Sequence, residues 1–153
     1  MLAEYEFRDI PIHVFKTENS IDDFPLKFHK QLELCYVLNG VLNVEIEGKN
    51  RTLKAGDVYL AFPNIPHAVF NSSASIMIAI FDCEIVQSYH EILSHQKPKD
   101  AVIPAEKLPK SIESLFHQIF DFSGITFCKF ILQTILCCII KKSMNAVFIP
   151  GIL

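Results

Sequence analysis

The sequence lacks the features that mark disulfide-rich, zinc-binding and nucleic-acid-binding proteins. Its five cysteines are odd in number and include no Cys-x-x-Cys pair, which excludes a disulfide framework and favours buried free thiols. No Cys/His spacing suggests a zinc site, and no Ser/His/Asp or Cys/His arrangement suggests a nucleophilic enzyme. The basic residues form nothing larger than pairs such as Lys141–Lys142, and the net charge is −3. We therefore expect no sequence-specific DNA binding by this chain alone.

Targeting and membrane signals are also missing. The N-terminus has neither a basic start nor an apolar core, so it is not a signal peptide. The longest apolar stretch, Phe130 to Ile140, is broken by Gln133 and Thr134 and falls short of the roughly 20 residues that span a bilayer. With 153 residues, half of them apolar, the chain is expected to be a single soluble, cytoplasmic domain.

Short apolar segments separated by turn residues run from about residue 5 to residue 85. Leu32–Leu38 favours a strand, and the Asn39-Gly40 pair that follows predicts a tight hairpin turn. The next strand alternates apolar with polar residues from Leu42 to Ile46. Further strands are expected around 51–53, 58–62 and 75–81. So many short strands are typical of a β-sandwich or barrel.

The pattern then becomes helical. Residues 96–110 contain three prolines and read as a connector. Ser111 can cap a helix with one apolar face, and a second helix, about Ile125 to Lys142, is apolar nearly all round and must be buried. The predicted organisation is a barrel with an N-terminal arm (1–95, the arm being about Met1 to Glu18), the connector, a helical pair (111–142) and a tail of unknown role (143–153).

Three residues stand out as a candidate site: His29, Glu33 and His67. In one extended strand, Lys27, His29 and Glu33 would share a face, and Cys35 would share it too. His67 follows the rigid loop Pro63–Pro66, from which a strand could aim its ring inward. Buried titratable groups need a metal, a ligand or one another, and two histidines with one carboxylate form the set used by non-haem iron.

The spacing of these residues resembles the two cupin motifs. His29, Glu33 and Gly40 follow the first motif, in which Lys27 stands where a further histidine is usual. The second motif runs from Gly56 through His67 to Asn71 after three further residues, with Phe62 and Asn64 replacing its usual proline and glycine. The segment Gly56–His67 is most similar to the sensory cupins of AraC-type transcription regulators. The resemblance covers about residues 5 to 142.

The resemblance implies a mainly β fold, a cupin-like double-stranded β-helix barrel followed by two C-terminal α-helices. It also implies a small effector, often a sugar, in the barrel, with no metal or other cofactor. The family's helical pair joins two subunits, so a homodimer is expected. The residues expected at its interface are Phe130, Ile131, Leu136 and Ile140. Full regulators continue into helix-turn-helix units, which these 153 residues do not contain. The chain would then be a fragment, a truncated gene product or a stand-alone sensor.

The sequence therefore predicts an effector-sensing and dimerising module rather than an enzyme. It would have no catalytic residues and no membrane partner. The predicted ligand-binding residues are Lys27, His29, Glu33, Cys35 and His67. The alternative is a small metal-dependent cupin isomerase or dioxygenase that uses His29, Glu33 and His67 as metal ligands. A metal-free storage or scaffold cupin is a third, weaker interpretation.

Overall fold

A computed structural model describes residues 2–18, 23–70, 72–97, 100–121, 124–143 and 149–150. Within them, nine strands form one sheet and two short strands, β9 and β11, form a separate pair. The strands are β1 (Glu4–Tyr5), β2 (Ile12–Thr17), β3 (Phe24–Phe28), β4 (Leu32–Ile46), β5 (Lys49–Lys54), β6 (Val58–Ala61), β7 (His67–Val69), β8 (Ser73–Phe81), β9 (Gln96–Lys97), β10 (Val102–Ile103) and β11 (Ile149–Pro150). The helices are α1 (Gln87–His95), α2 (Ile112–Asp121) and α3 (Ile125–Ser143).

The long strand β4 organises the barrel, because it pairs with four other strands. Its first half lies between β8 and β6, with Glu33 opposite Ile80 on one side and Ala61 on the other. Its second half pairs with β5 and β7. One strand thus carries the candidate site at its start and ties both halves of the sheet together.

The predicted hairpin turn at Asn39-Gly40 is wrong. The chain continues through this pair as one strand, with a shift of register against β8 between Val37 and Asn39. Gly40 has φ +79°, the left-handed conformation that glycine adopts readily, and this conformation allows a bulge as well as a turn. The tight turn instead falls at Glu47-Gly48, between β4 and β5, where both residues have positive φ.

The bulge changes which side chains of β4 face the barrel interior. Before it, Cys35 and Val37 point inward; after it, Leu42 and Val44 do. An inner cluster fills the barrel: Cys35, Val37, Leu42, Val44, Ile46, Leu53, Tyr59, Ala61, Val69, Ala74, Ile76, Ile78 and Ile80. Burial of each large apolar side chain contributes about 1.5–3 kcal/mol. The opposite face of β4, with Leu32, Leu34 and Tyr36, packs in a separate cluster with the helices.

The predicted helical pair corresponds to α2 and α3, and α1 precedes it. Three of the four residues expected at a subunit interface on α3 are instead covered within their own chain. Ile131, Leu136 and Ile140 are at most 4% exposed and pack in the helix-side cluster of their own chain. Phe130, the fourth predicted interface residue, is 64% exposed. The barrel flank, α1 and α2 together supply the cover that the sequence could not show.

The N-terminal segment is tied to the barrel. β2 pairs antiparallel with β8 along its whole length, and β1 pairs parallel with β3. Most of the predicted tail, residues 144–148 and 151–153, lies outside the described residues, as does Asn71 of the second motif. Among the helices that are described, none has the length and apolar character needed to cross a membrane.

Candidate functional site at the start of strand β4

His29 reaches the site from a corner rather than from a strand. Residues 29–31 lie between β3 and β4, so the alternation expected to run from Lys27 to Glu33 is interrupted. The ring is held by Nδ1, which lies 3.0 Å from the carbonyl oxygen of Gln31. The side chain of Gln31 in turn donates to the carbonyl of Ile10 at 2.9 Å. The corner is therefore fixed by hydrogen bonds, and His29 is only 1% exposed.

The proline loop brings His67 to the same place. Asn64 has φ +61° and donates its backbone N–H to the carbonyl of His29 at 2.7 Å, which joins the two histidine-bearing loops. Nδ1 of His67 lies 2.9 Å from the carbonyl oxygen of Ile65. The two rings meet edge to face, with centroids 5.0 Å apart. The expectation that the loop aims this ring inward is met, since His67 is 4% exposed.

Glu33 lies between the two rings. Its Oε2 is 3.2 Å from Nε2 of His29 and 3.4 Å from Nε2 of His67, and its Oε1 accepts a hydrogen bond from the Tyr59 hydroxyl. One ligand atom from each of the three predicted residues falls within 4.8 Å of the others. The sequence did not single out Tyr59. Tyr59 lies on β6 and pairs with Cys35 of β4, which places the tyrosine on the inward face beside Glu33.

The hydrogen bonds determine which nitrogen of each ring carries a proton. A carbonyl oxygen only accepts, so each Nδ1 must carry the proton, and each Nε2 turns towards Glu33 Oε2. A neutral ring would then place a nitrogen lone pair against a carboxylate oxygen. That arrangement is stable only with a proton or a cation between them. Nε2 of His67 is buried and lacks a well-formed hydrogen bond within the described residues, despite its 3.4 Å approach to Glu33.

The pKa shifts fit a charged, coupled pair. Burial alone would raise the pKa of Glu33, but hydrogen bonds from His29 and His67 outweigh it and hold that pKa well below its usual range. Burial would lower the pKa of His67, yet the hydrogen bond and negative charge of Glu33 leave it raised. Both shifts favour the carboxylate with a protonated His67, which is one way to supply the missing positive charge.

A divalent metal ion could also supply the positive charge between the carboxylate and the rings, and these three residue types are ones that bind such an ion. Ligands about 2.1 Å from a zinc or iron ion stand roughly 3.0–3.4 Å apart. The two nitrogen–oxygen separations, 3.2 and 3.4 Å, lie in that range, and all three ligand atoms lie within 4.8 Å of one another, so a small approach of the two rings would complete the site. His29, Glu33 and His67 would be the protein ligands, as two histidines and one carboxylate are in non-haem iron sites. A bound ion would act there as a Lewis acid with open coordination positions.

Lys27 is the residue that sets this site apart from the usual motif. Its ammonium pairs with Glu6 Oε2 at 2.9 Å rather than with Glu33, and it lies 5.4 Å from the centre of the Phe24 ring. Its charge nevertheless contributes to lowering the pKa of Glu33. A fixed cation beside the site opposes the binding of a second one.

Cys35 lines the inner cluster behind the site. It is fully buried, and burial followed by the charge of Glu33 raises the pKa of its thiol well above the usual range. The same two causes raise the pKa of Tyr59. Both groups therefore stay neutral at physiological pH, which suits packing and hydrogen bonding rather than nucleophilic attack.

Comparisons with known proteins agree with this architecture. Residues 20–81 match the model of the cupin domain. No curated protein matches the chain in sequence. Among solved structures, a variant of ToxT from Vibrio cholerae strain SCE256 in its apo form is 14% identical, over 97% of this chain and 62% of that chain, with a TM-score of 0.59.

Two further solved structures are similar. Wild-type ToxT from the same strain, bound to an unsaturated fatty acid, is 16% identical over 92% of this chain and 57% of that chain, with a TM-score of 0.57. An RmlC-like cupin from Shewanella frigidimarina NCIMB 400 is 20% identical over 46% of this chain and 65% of that one, with a TM-score of 0.40. The chain thus spans less than two thirds of each of these proteins. The cupin-domain match and the sheet described above identify the fold as a cupin barrel, mostly β, followed by helices α1, α2 and α3.

Proposed function

We propose that this chain is the effector-sensing and dimerisation domain of an AraC-like transcription regulator. The observation that supports this most is the extent of the similarity to ToxT, an AraC-family regulator, which covers 97% of this chain. It includes the helices as well as the barrel. In the family that the sequence resembles, such a domain binds a small effector and passes the signal to a DNA-binding half.

The effector site that we propose is formed by Lys27, His29, Glu33, Cys35 and His67. Four of them are buried and lie at the start of β4 or against it, while Lys27 is about one-sixth exposed at the rim. Hydroxyl groups of a small polar ligand, a sugar among them, could replace the hydrogen bonds that Glu33 and the histidines now make. One ToxT structure holds an unsaturated fatty acid, so that class of compound belongs in the same test.

A ligand screen tests the proposal. Sugars, sugar acids and fatty acids are added to the purified chain, and Tm is recorded. An effector should raise Tm, should lose this effect in His67→Phe, and should keep it in His117→Phe, whose histidine is half-exposed on α2. It should be recovered chemically unchanged by mass spectrometry. A compound that the chain converts to a product would contradict the sensor proposal.

The second candidate function is a small metal-dependent cupin enzyme. It is favoured by the convergence of His29, Glu33 and His67 within 4.8 Å. Lys27 argues against it, because a lysine occupies the sequence position of the motif's additional histidine, and its positive charge opposes a bound cation. Replacing that residue therefore separates the two functions.

We expect Lys27→His to bind nickel, zinc or iron at least tenfold more tightly than the wild type, a gain of about 1.4 kcal/mol. The substitution removes a fixed positive charge and adds a fourth ligand. Lys30→His, an exposed neighbour, is the matched control and should leave affinity unchanged. Calorimetric titration and metal analysis by mass spectrometry give the answer. One tightly held metal per wild-type chain would make the enzyme the better proposal.

Self-association through α3 is the remaining part of the proposal, and Phe130 is its test. We expect Phe130→Glu to shift a dimer to monomer, because a glutamate would be left without a partner in an apolar contact. Ser114→Glu adds the same charge at an exposed position of α2 and should leave the dimer intact. Sedimentation velocity distinguishes the species. A wild type that stays monomeric at high micromolar concentration would rule out this interface.

A further inference from the structure

A second group of charges lies beside the candidate site, at the rim of the barrel. Glu6 bridges two cations: its Oε1 lies 2.7 Å from the guanidinium of Arg8, and its Oε2 lies 2.9 Å from the ammonium of Lys27. The side chains of Arg8 and Lys27 are 15% and 16% exposed, whereas that of Glu6 is 33% exposed. Two largely buried positive charges therefore share one carboxylate, whose Oε2 is itself buried although the Glu6 side chain as a whole is one-third exposed.

One hydrogen-bond donor of this group of charges has no partner within the described residues. Nε of Arg8 is buried and has no hydrogen-bond partner there. A guanidinium presents its N–H groups as a planar fork that suits a carboxylate, so one donor of the Arg8 fork is still available to an oxygen. Glu33 is the other nearby carboxylate, and it is already engaged by His29, His67 and Tyr59.

His13 connects this group with the barrel interior. It pairs with Ile80 on β8, and Glu33 pairs with the same Ile80 from the other side, so His13 and Glu33 lie in one row of the sheet and on one face. Burial, and then the positive charge of Arg8, lower the pKa of His13. The ring is therefore neutral at physiological pH and can donate to an anion without adding charge.

Of Glu6, Arg8 and Lys27, Glu6 is the residue whose charged group can most easily move away from the other two. It belongs to the N-terminal segment, in which β1 is only two residues long and Tyr5 and Phe7 are 51% and 71% exposed. A change of rotamer would move its carboxylate into solvent without breaking the bond from its backbone N–H to the carbonyl of Phe28. Such a rotation requires no movement of Lys27, which lies on β3, or of the backbone at Arg8.

We propose that Arg8 and Lys27 form a binding site for the carboxylate group of the effector, and that Glu6 is an internal carboxylate that occupies this site until the effector displaces it. This inference rests on the proposed sensing function and names the chemical class of the ligand. His13 is the neutral donor at the same rim. No covalent step is involved, only the exchange of one carboxylate for another.

Acetate tests the site without knowledge of the effector. In Glu6→Ala the cations lose their partner, and acetate at about ten times its Kd should raise Tm by about 3–5 °C. Chloride at matched ionic strength should not do so, and neither should acetate on the wild type. Glu4→Ala, which removes an exposed carboxylate of the same segment, is the control. Equal responses of all three proteins to acetate, or none in Glu6→Ala, would overturn the proposal. If Glu6→Ala does not fold, Glu6→Gln takes its place.

Paired ligands then separate this inference from the proposed function. Hexanoate is compared with hexanol and glucuronate with glucose, so that only the carboxylate differs within each pair. We expect at least one acid to bind, its neutral partner to bind at least tenfold more weakly, and Arg8→Gln to remove the difference. If a neutral compound binds as tightly as its acid, the carboxylate site is wrong and the sensing function stands. If no acid binds even to Glu6→Ala, the carboxylate site is also wrong, and the screen with His67→Phe decides the sensing function by itself.

Discussion

Gly40→Ala should lower the free energy of unfolding by about 3 kcal/mol or more, the sum of a backbone cost and a steric cost. Gly40 has φ +79°, where a residue with a Cβ is strained by about 1–2 kcal/mol. A Cβ at this position would lie 2.0 Å from the carbonyl oxygen of Ser73 and 2.8 Å from Cα of Ala74, both backbone atoms of β8. Neither can move without breaking the pairing of β4 with β8.

Gly48→Ala is the matched control for this substitution. Gly48 also has positive φ, +72°, but a Cβ there would meet nothing within 4 Å. It should therefore cost only the backbone strain, about 1–2 kcal/mol. Urea denaturation followed by circular dichroism measures both variants. Equal losses would mean that the close approach of β8 to the bulge is relieved easily, and that the bulge does not fix the register.

The bulge also explains the main error in reading the strands from sequence. An Asn-Gly pair after an apolar run has the same local signature in a hairpin and in a bulged strand, because both use positive φ at glycine. Only the position of β8, more than thirty residues further along the chain, decides between them. The alternation on either side was predicted, but the switch of the inward face from Val37 to Leu42 was not.

The sequence indicated three residues that the structure brings together, but not how the chain brings them together or which other side chains they meet. His29, Glu33 and His67 converge as their spacing required, but a corner places His29 where a continuous strand had been expected. Tyr59 and Glu6 were missed because their partners are remote in sequence: Tyr59 is 26 residues from Glu33, and Glu6 meets Lys27 only through the pairing of β1 with β3. Contacts between strands carry no local signal that one sequence reveals.

Glu33→Leu should cost about 3–5 kcal/mol of folding free energy, the range found when one partner of a buried ionic network is removed. Glu33 is 3% exposed and is the hydrogen-bond acceptor for the Tyr59 hydroxyl. A leucine fills similar volume but accepts nothing, so the hydroxyl of Tyr59 and the Nε2 atoms of both histidines would be buried without partners. Each such group costs about 1–3 kcal/mol.

Glu33→Gln separates the loss of charge from the loss of hydrogen bonds. The amide oxygen can still accept from Tyr59, and the amide N–H groups can donate to the lone pairs that His29 and His67 present once each Nδ1 holds its proton. We therefore expect Gln to lose at most half as much stability as Leu. Glu45→Leu, on the same strand but half-buried outside the inner cluster, should change stability by less than about 1 kcal/mol. Urea denaturation ranks the three variants.

If Gln proves as damaging as Leu, then the negative charge of Glu33, matched by a protonated His67, holds the site together, and neutral hydrogen bonding does not. If neither substitution lowers stability, apolar packing alone holds this end of the barrel, and the three polar side chains are maintained for a ligand.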